Sequence, residues 1–362
     1  MKRICAVFAC LSVVLSLDLP SDAASPGAVP ARDFSLDVKD FLKKGAVETP
    51  PLPEARGGLE LDGLAGDAIQ AFFPGLTKGQ VPGVVQGVAQ ATAKAKGVAK
   101  ATSKRTPSDG EMQDDVRLSP LTTAEREAAV KELFRKAGAA DIQTQELADL
   151  GQNNVVVVKK GRTDRLIVFG AHHDKALQGD GVIDNWTGAA MVVNLYKALK
   201  DMQTEHTLVF ASFGGEENGL VGSAEFVSRL SDEDRKRVDA MINFDCLAVD
   251  GTFSWKNNSD RSMLDAAKKA ATSGGLELKE VTFWGGDADS SSFRDAGIQA
   301  VTIFGASPGI IFDIVHSGND TFGKFSLPHF KNAYSLGLGM TKALDARGAE
   351  LAGRTAPPKP AS

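Results

Sequence analysis

Apolar residues gather in short dense runs through the later two-thirds of the chain, and most of these runs stop abruptly at a polar residue. Leu166-Ile167-Val168-Phe169, Leu208-Val209-Phe210 and Met241-Ile242 are the clearest examples. Runs of this length predict strands buried on both faces. Strands are expected near 141–147, 153–159, 165–171, 206–213, 238–245, 252–256, 277–283 and 299–304. Between them, helical spacing predicts helices over 186–200, 219–230, 260–273, 290–296 and 326–346. An earlier helix, capped by Thr122 or Thr123, runs through Lys136 and stops at Gly138. The early strands follow one another directly, whereas the later ones alternate with helices. That pattern predicts the α/β class, as a three-layer α/β/α sandwich around a mixed, mostly parallel central sheet.

The rest of the chain reads differently. Lys2-Arg3, an apolar stretch over residues 4–17, Pro20 and the small residues Ser21, Ala23 and Ala24 form the pattern of a secretory signal, expected over residues 1–24. The stretch is shorter than the ~20 residues that span a membrane, and no later segment is apolar enough to do so. The chain is therefore expected to be exported, secreted or periplasmic, with no membrane span. Residues 25–115 hold Pro50-Pro51-Leu52-Pro53, scattered glycines and an Ala/Lys/Gly/Val tract without an apolar stripe, and read as a low-complexity propeptide or linker. The catalytic-type domain is expected over 116–350, followed by a disordered tail over 351–362.

Bulk composition adds exclusions. A net charge of −5 gives no support for nucleic-acid binding. Two of the three cysteines, Cys5 and Cys10, fall in the signal, so the mature chain keeps Cys246 alone and has no internal disulfide. A single cysteine ending an apolar strand is expected to be packing rather than a nucleophile.

The polar residues that close the apolar runs carry the chemistry. Gly170-Ala171-His172-His173-Asp174 ends one strand. Asp174 lies two residues from His172, on the same side of an extended chain, where it can fix one ring nitrogen and leave the other for a metal; His172 is thus preferred over His173. Asp184, in Asp184-Asn185-Trp186-Thr187-Gly188, stands before a helix and can be its cap or a carboxylate shared between metals. Glu216 and Glu217 sit in a glycine-lined turn between strand and helix; if one binds metal, the other is free as a general base. Asp245 ends the next strand, and His316 lies in a late polar loop.

In order, these segments resemble peptidase family M28, the zinc aminopeptidases, whose pattern is HxD, D[DN]x[ST]G, GEExGLxGS, NxD and a late HxxxxDT. The matching stretches are His172-His173-Asp174, Asp184-Asn185-Trp186-Thr187-Gly188, Gly215-Glu216-Glu217-Asn218-Gly219-Leu220-Val221-Gly222-Ser223, Asn243-Phe244-Asp245 and His316-Ser317-Gly318-Asn319-Asp320-Thr321. The resemblance implies two zinc ions bridged by Asp184, one also held by His172 and Asp245, the other by Glu217 and His316. It implies Glu216 as general base, Asp174 as the partner of His172, and a peptide cleaved from its amino end.

Three departures accompany it. Ser290 stands in Asp287-Ala288-Asp289-Ser290-Ser291-Ser292-Phe293 where the family often has histidine, the only tyrosines, Tyr196 and Tyr334, fall in expected helices, and the N-terminal segment is outside the resemblance. The competing readings are a carboxypeptidase using Arg261 or Arg294, a one-zinc glutaminyl cyclase, and a non-catalytic binding module. Gly305-Ala306-Ser307-Pro308-Gly309 formally matches the GxSxG of serine hydrolases, but Pro308 lacks the backbone N–H that the oxyanion hole needs. His206 and His329 have no motif around them and are expected at the surface or in packing.

Overall fold

The computed structural model describes residues 106–147 and 150–355, with no side-chain account beyond 346. The expected signal and most of the expected propeptide lie outside the described residues. In chain order the main elements are α1 (Asp109–Arg117), α2 (Thr123–Lys136), β1 (Gln143–Leu147), β2 (Gln152–Lys159), β3 (Leu166–His172), α3 (Thr187–Leu199), β4 (Thr207–Phe213) and α4 (Val221–Ser228). They continue with α5 (Asp232–Arg237), β5 (Val238–Asp245), β6 (Phe253–Trp255), α6 (Arg261–Gly274), β7 (Lys279–Val281), α7 (Ser290–Asp295), β8 (Ala300–Phe304) and α8 (Leu327–Thr355).

All the expected strands are present and form one eight-stranded sheet in the order β1-β2-β4-β3-β5-β8-β6-β7. Pairings β3–β4, β3–β5, β5–β8 and β6–β7 are parallel, while β1–β2, β2–β4 and β6–β8 are antiparallel. β3 and β4 are buried along their whole lengths, which is why they read as continuous apolar runs. One face of the sheet packs on α1, α2, α3, α6 and α8 through residues such as Phe169, Phe210, Ile242 and Trp186. The other is covered by α4 and α7 through Phe226 and Phe293, which meet Phe213. The three layers follow from these two apolar faces.

The domain starts earlier than position 116. Helix α1 begins at Asp109, with Ser108 and Glu111 exchanging hydrogen bonds as a capping box, and it buries Met112, Asp115 and Val116. Its sequence is mostly polar, and a two-residue apolar stripe is too short a signal to separate it from the segment before it. At the other end α8 continues to Thr355, beyond the expected boundary at 350. Thr122, rather than Thr123, caps α2, paired with Glu125 in a second capping box. Helix α4 is shorter than expected because Gly219 and Leu220, at φ 96° and 61°, belong to the turn before it. Short α5, whose Ser231 cap is satisfied by the amide of Asp234, was not expected.

β3 pairs with β4 on one side and β5 on the other, and the helices after β3 and β4 pack on opposite faces. This is the point in an open α/β sheet where a crevice opens beyond the carboxyl ends of the strands.

Candidate active site

His172 is the last residue of β3 and is buried. Its Nδ1 lies 3.3 Å from Asp174 Oδ1, and its Nε2 lies 3.3 Å from Asp184 Oδ1 and 3.7 Å from Asp245 Oδ1. One ring nitrogen thus meets its orienting carboxylate while the other faces the remaining acids. His173 turns elsewhere, with Nδ1 3.1 Å from Ser212 Oγ.

Asp184 sits in an irregular turn, Val182–Trp186, entered through Gly181 at φ 67°. It is not the helix cap that its position allowed. Asn185 takes that work, its Oδ1 accepting from the amides of Gly188 and Cys246 at 2.9 and 3.2 Å. Asp184 is therefore free to present both oxygens. Oδ1 faces His172, and Oδ2 lies 3.2 Å from His316 Nε2. Burial pushes this carboxyl up, but hydrogen bonds from His172 and His316 outweigh it and hold the group well below the usual carboxylate range.

The two glutamates occupy a turn opened by Gly215 at φ 65°. Asp174 pins it: Oδ1 accepts from the amide of Glu216 at 3.2 Å and Oδ2 from that of Glu217 at 3.1 Å. Asp174 thereby orients both His172 and the Glu-Glu turn, more than sequence reading gave it. Gly222 lets the following helix approach closely, since a Cβ there would sit 2.1 Å from the Gly214 carbonyl oxygen. Glu217 Oε2 lies 3.0 Å from His316 Nε2, while its Oε1 is buried with no hydrogen-bond partner. Glu216 Oε2 is 4.0 Å from His172 Nε2. Burial raises Glu216 well above the usual value; His172 opposes this, and the carboxylates of Asp289, Asp245 and Asp184 add to it.

Three groups of side chains come within metal-binding reach of one another: His172, Asp184 and Asp245; Asp184, Glu217 and His316; and His172, Glu216 and Glu217. All five sequence-predicted ligands are therefore gathered, and Asp184, whose two oxygens face different histidines, belongs to two of the groups. The donor set suits a cation. Burial pulls His172 down, yet the surrounding carboxylates hold it well above its ordinary value, and His316 is pushed up to about 10 by its bonds to Asp184 and Glu217. Both rings thus sit where positive charge is stabilised, and Glu217, whose Oε2 faces His316, keeps its buried Oε1 without a hydrogen-bond partner. Imidazole and carboxylate together are zinc donors.

Sequence reading missed two residues here. Asp320, quoted in the last motif without a role, accepts from the amides of Ile183 at 2.6 Å and Asp184 at 3.1 Å. Burial pushes its carboxyl up to about 6, against those bonds and Arg126. Arg126 itself is wholly buried behind the same turn. Neither Arg261 nor Arg294 joins the cluster: Arg261 lines a separate cavity of about 390 Å³ with Lys256 and Lys268, and Arg294 faces Asp260 at 3.7 Å. Ser290, in the place of the family histidine, bonds Thr302 Oγ1 at 2.7 Å, and Asn258. Tyr196 is core, edge-on to Phe134 and Phe210. Cys246 packs with Ile183 and Phe304, and burial raises its thiol far from a nucleophile's range. Ser307 opens a turn rather than a helix, unlike a nucleophile elbow. His206, expected at the surface or in packing, is buried between Asp239 at 2.9 Å and Asp345 at 3.1 Å.

A profile described as peptidase family M28 matches residues 154–339, just over half the chain and every residue of the cluster. The chain belongs to peptidase family M28. Among its relatives, aminopeptidase YwaD of Bacillus subtilis is 24% identical over 182 residues, covering 47% of this chain and 39% of that protein. An aminopeptidase of Pseudomonas aeruginosa is 34% identical over 95 residues, covering 26% and 18%. The chain thus spans less than half the length of these curated relatives. Among solved structures, the LapA aminopeptidase of Legionella pneumophila superposes with a TM-score of 0.57 at 19% identity, covering 67% of this chain and 76% of that one. An Acidobacteriales glutaminyl cyclase gives 0.55 at 19%, covering 68% and 98%. At these identities the likeness establishes the shared fold alone, the M28-type α/β sandwich with its mixed sheet.

His173, though no ligand, offers a test of the buried neighbourhood. Burial pulls its pKa from 6.5 to about 4, against Asp174 and Glu127. The unfolded chain therefore takes up this proton from pH 6.5 downward, while the folded chain stays neutral to about 4. The associated stability is present in full above 6.5 and lost as the pH falls, about 3 kcal/mol in total. His173→Asn is expected to show a shallower fall in unfolding free energy between pH 6.5 and 4 than wild type. Parallel curves in urea titrations across that range would contradict the assignment.

Proposed function

We propose that this chain is a zinc-dependent aminopeptidase with two zinc ions per chain, acting on the amino end of peptides. The observation that carries the proposal is the placement of Asp184, one oxygen toward His172 and the other toward His316, in reach of Asp245 in one group and of Glu217 in the other. His172, Asp184 and Asp245 would hold one ion, and Asp184, Glu217 and His316 the other. Zinc there supplies Lewis acidity, polarising the peptide carbonyl and lowering the pKa of water.

The chain's own residues do the remainder. Glu216 lies within reach of His172 and Glu217, and burial among carboxylates raises the proton affinity of its carboxyl, as suits a group that must accept a proton. It takes the proton from the attacking water and delivers it to the departing amine. Asp174 keeps Glu216 in place through the backbone amide and keeps His172 in orientation through Nδ1. The curated aminopeptidase relatives support the choice of the amino end.

A substrate panel tests the reading. Unblocked aminoacyl anilides are expected to be cleaved and the cleavage to be abolished by a zinc chelator, while N-acetylated analogues and carboxyl-terminal substrates are left intact. Ring closure of N-terminal glutamine without hydrolysis would instead identify a cyclase. We also propose export, on the strength of Lys2-Arg3 and the apolar residues 4–17. N-terminal sequencing of the mature protein is expected to begin near Ala24 or Ser25, and a start at Met1 would refute it. Among the described residues no helix is long and apolar enough to cross a membrane.

A further inference from the structure

Arg126 lies on α2, in a helix whose other charged residues read as a solvated face, yet its side chain is fully buried. A buried guanidinium is costly unless its donors are used. They are spent on main chain. Nε donates to the carbonyl of Pro120 at 2.9 Å, Nη1 to that of His173 at 3.4 Å, and Nη2 to those of Asp180 and Gly181 at 2.8 and 2.6 Å. Nη2 also reaches Ser119 Oγ at 3.0 Å, and the cation lies 5.5 Å from the Trp186 ring centroid.

Three of these acceptors, the carbonyls of His173, Asp180 and Gly181, belong to the two segments that deliver the cluster. His173 follows His172 directly, and Asp180 and Gly181 lead into Asp184. From the opposite side Asp320 accepts the amides of Ile183 and Asp184, and its carbonyl accepts that of Asp180 at 2.8 Å. Residues 180–184 are therefore held through their carbonyls by a buried cation and through their amides by a buried anion. Gly181 permits the approach, because a Cβ there would sit 2.6 Å from Arg126 Nη2.

We infer that Arg126 is a positioning residue of the metal site: with Asp320 it fixes residues 180–184 so that Asp184 reaches His172 and His316 together, and it thereby sets the affinity for the second zinc ion. This rests on the two-zinc reading above. The inference opposes the simplest electrostatic expectation. A positive charge behind a cluster of carboxylates repels a metal cation, so an arginine acting through charge alone would weaken zinc binding and its removal would tighten it. One acting through its fork would do the reverse, and lysine, with the charge but without the fork, would not replace it.

The test uses the full chain as wild type, Arg126→Met, Arg126→Lys, Asp320→Asn and Asp184→Asn. Zinc affinities are measured by competition with a chromophoric chelator, and folding is followed by circular dichroism. Arg126→Met is expected to bind its second zinc about 10- to 100-fold more weakly, the range for loss of a group that orients metal ligands. Arg126→Lys and Asp320→Asn are expected to weaken it in the same direction. Equal or tighter second-zinc binding in Arg126→Met overturns the inference. Should that variant fail to fold, wild-type affinity in both Arg126→Lys and Asp320→Asn overturns it, and weakened binding in either supports it. A wild type that takes up fewer than two zinc ions, with Asp184→Asn unchanged from it, defeats the two-zinc reading and this inference together. Two ions in wild type with unaltered affinity in the Arg126 variants defeats this inference alone.

Discussion

Glu216→Gln is expected to lower kcat by about 10²- to 10⁴-fold, the range attributable to a positioned general base, while leaving zinc content and folding unchanged. Glutamine keeps the shape of the side chain and removes only its ability to accept and release a proton. The turn should survive, because it is held through the amides of residues 216 and 217 by Asp174 and not through the Glu216 carboxyl. The prediction also separates two roles that proximity allows. Glu216 falls within metal reach of His172 and Glu217, although its 4.0 Å approach to His172 Nε2 is longer than the 3.3 Å of Asp184. Loss of zinc along with activity would make it a ligand and contradict its assignment as base. Unchanged zinc with lost turnover, measured by elemental analysis beside steady-state kinetics, is the expected outcome.

Asp184→Asn is expected to abolish activity and to reduce bound zinc. An amide offers one oxygen and a donor where the carboxylate offers two oxygens, and in this site each oxygen faces a different histidine. The substitution also leaves His172 and His316 without the group that most directly balances them. The zinc-dependent part of thermal stability should shrink accordingly, since a ligand at 100 times its Kd stabilises the folded chain by about 2.7 kcal/mol. Calorimetry with and without added zinc measures this. A variant with wild-type zinc-dependent stabilisation would show that Asp184 is not shared.

The sequence was most legible where burial was complete. β3 and β4 are buried on both faces and announced themselves as apolar runs, and His172 and Asp245 stood out because each closes such a strand, with Glu216 and Glu217 in the turn after another. Strand-end position marked the segments, but the choice of His172, Asp184, Glu217, Asp245 and His316 as a set came from the order of the motifs, which needs no knowledge of how the strands pair. The sheet order and the shared role of Asp174 required the pairings themselves. Arg126 was hidden for a different reason: in Ala124-Glu125-Arg126-Glu127 it has the look of a surface charge, and three of its partners are main-chain carbonyls 47 to 55 residues away. His206 was hidden likewise, because Asp239 and Asp345, 33 and 139 residues on, close around it only in the folded chain. Helix α1 escaped because Met112 and Val116 are a thin apolar signal in a polar stretch. Local motifs thus marked the residues that the fold gathers, while Arg126, Asp320 and the double role of Asp174 became visible only through long-range contacts.

The central claim is that Asp184 joins two zinc ions. Anomalous diffraction at the zinc edge, on crystals of the zinc-loaded wild-type chain, tests it most directly. Two peaks about 3.5 to 4 Å apart, one on each side of the Asp184 carboxylate, are predicted. A single peak in the cluster, or two peaks with Asp184 bound to only one of them, would contradict the claim.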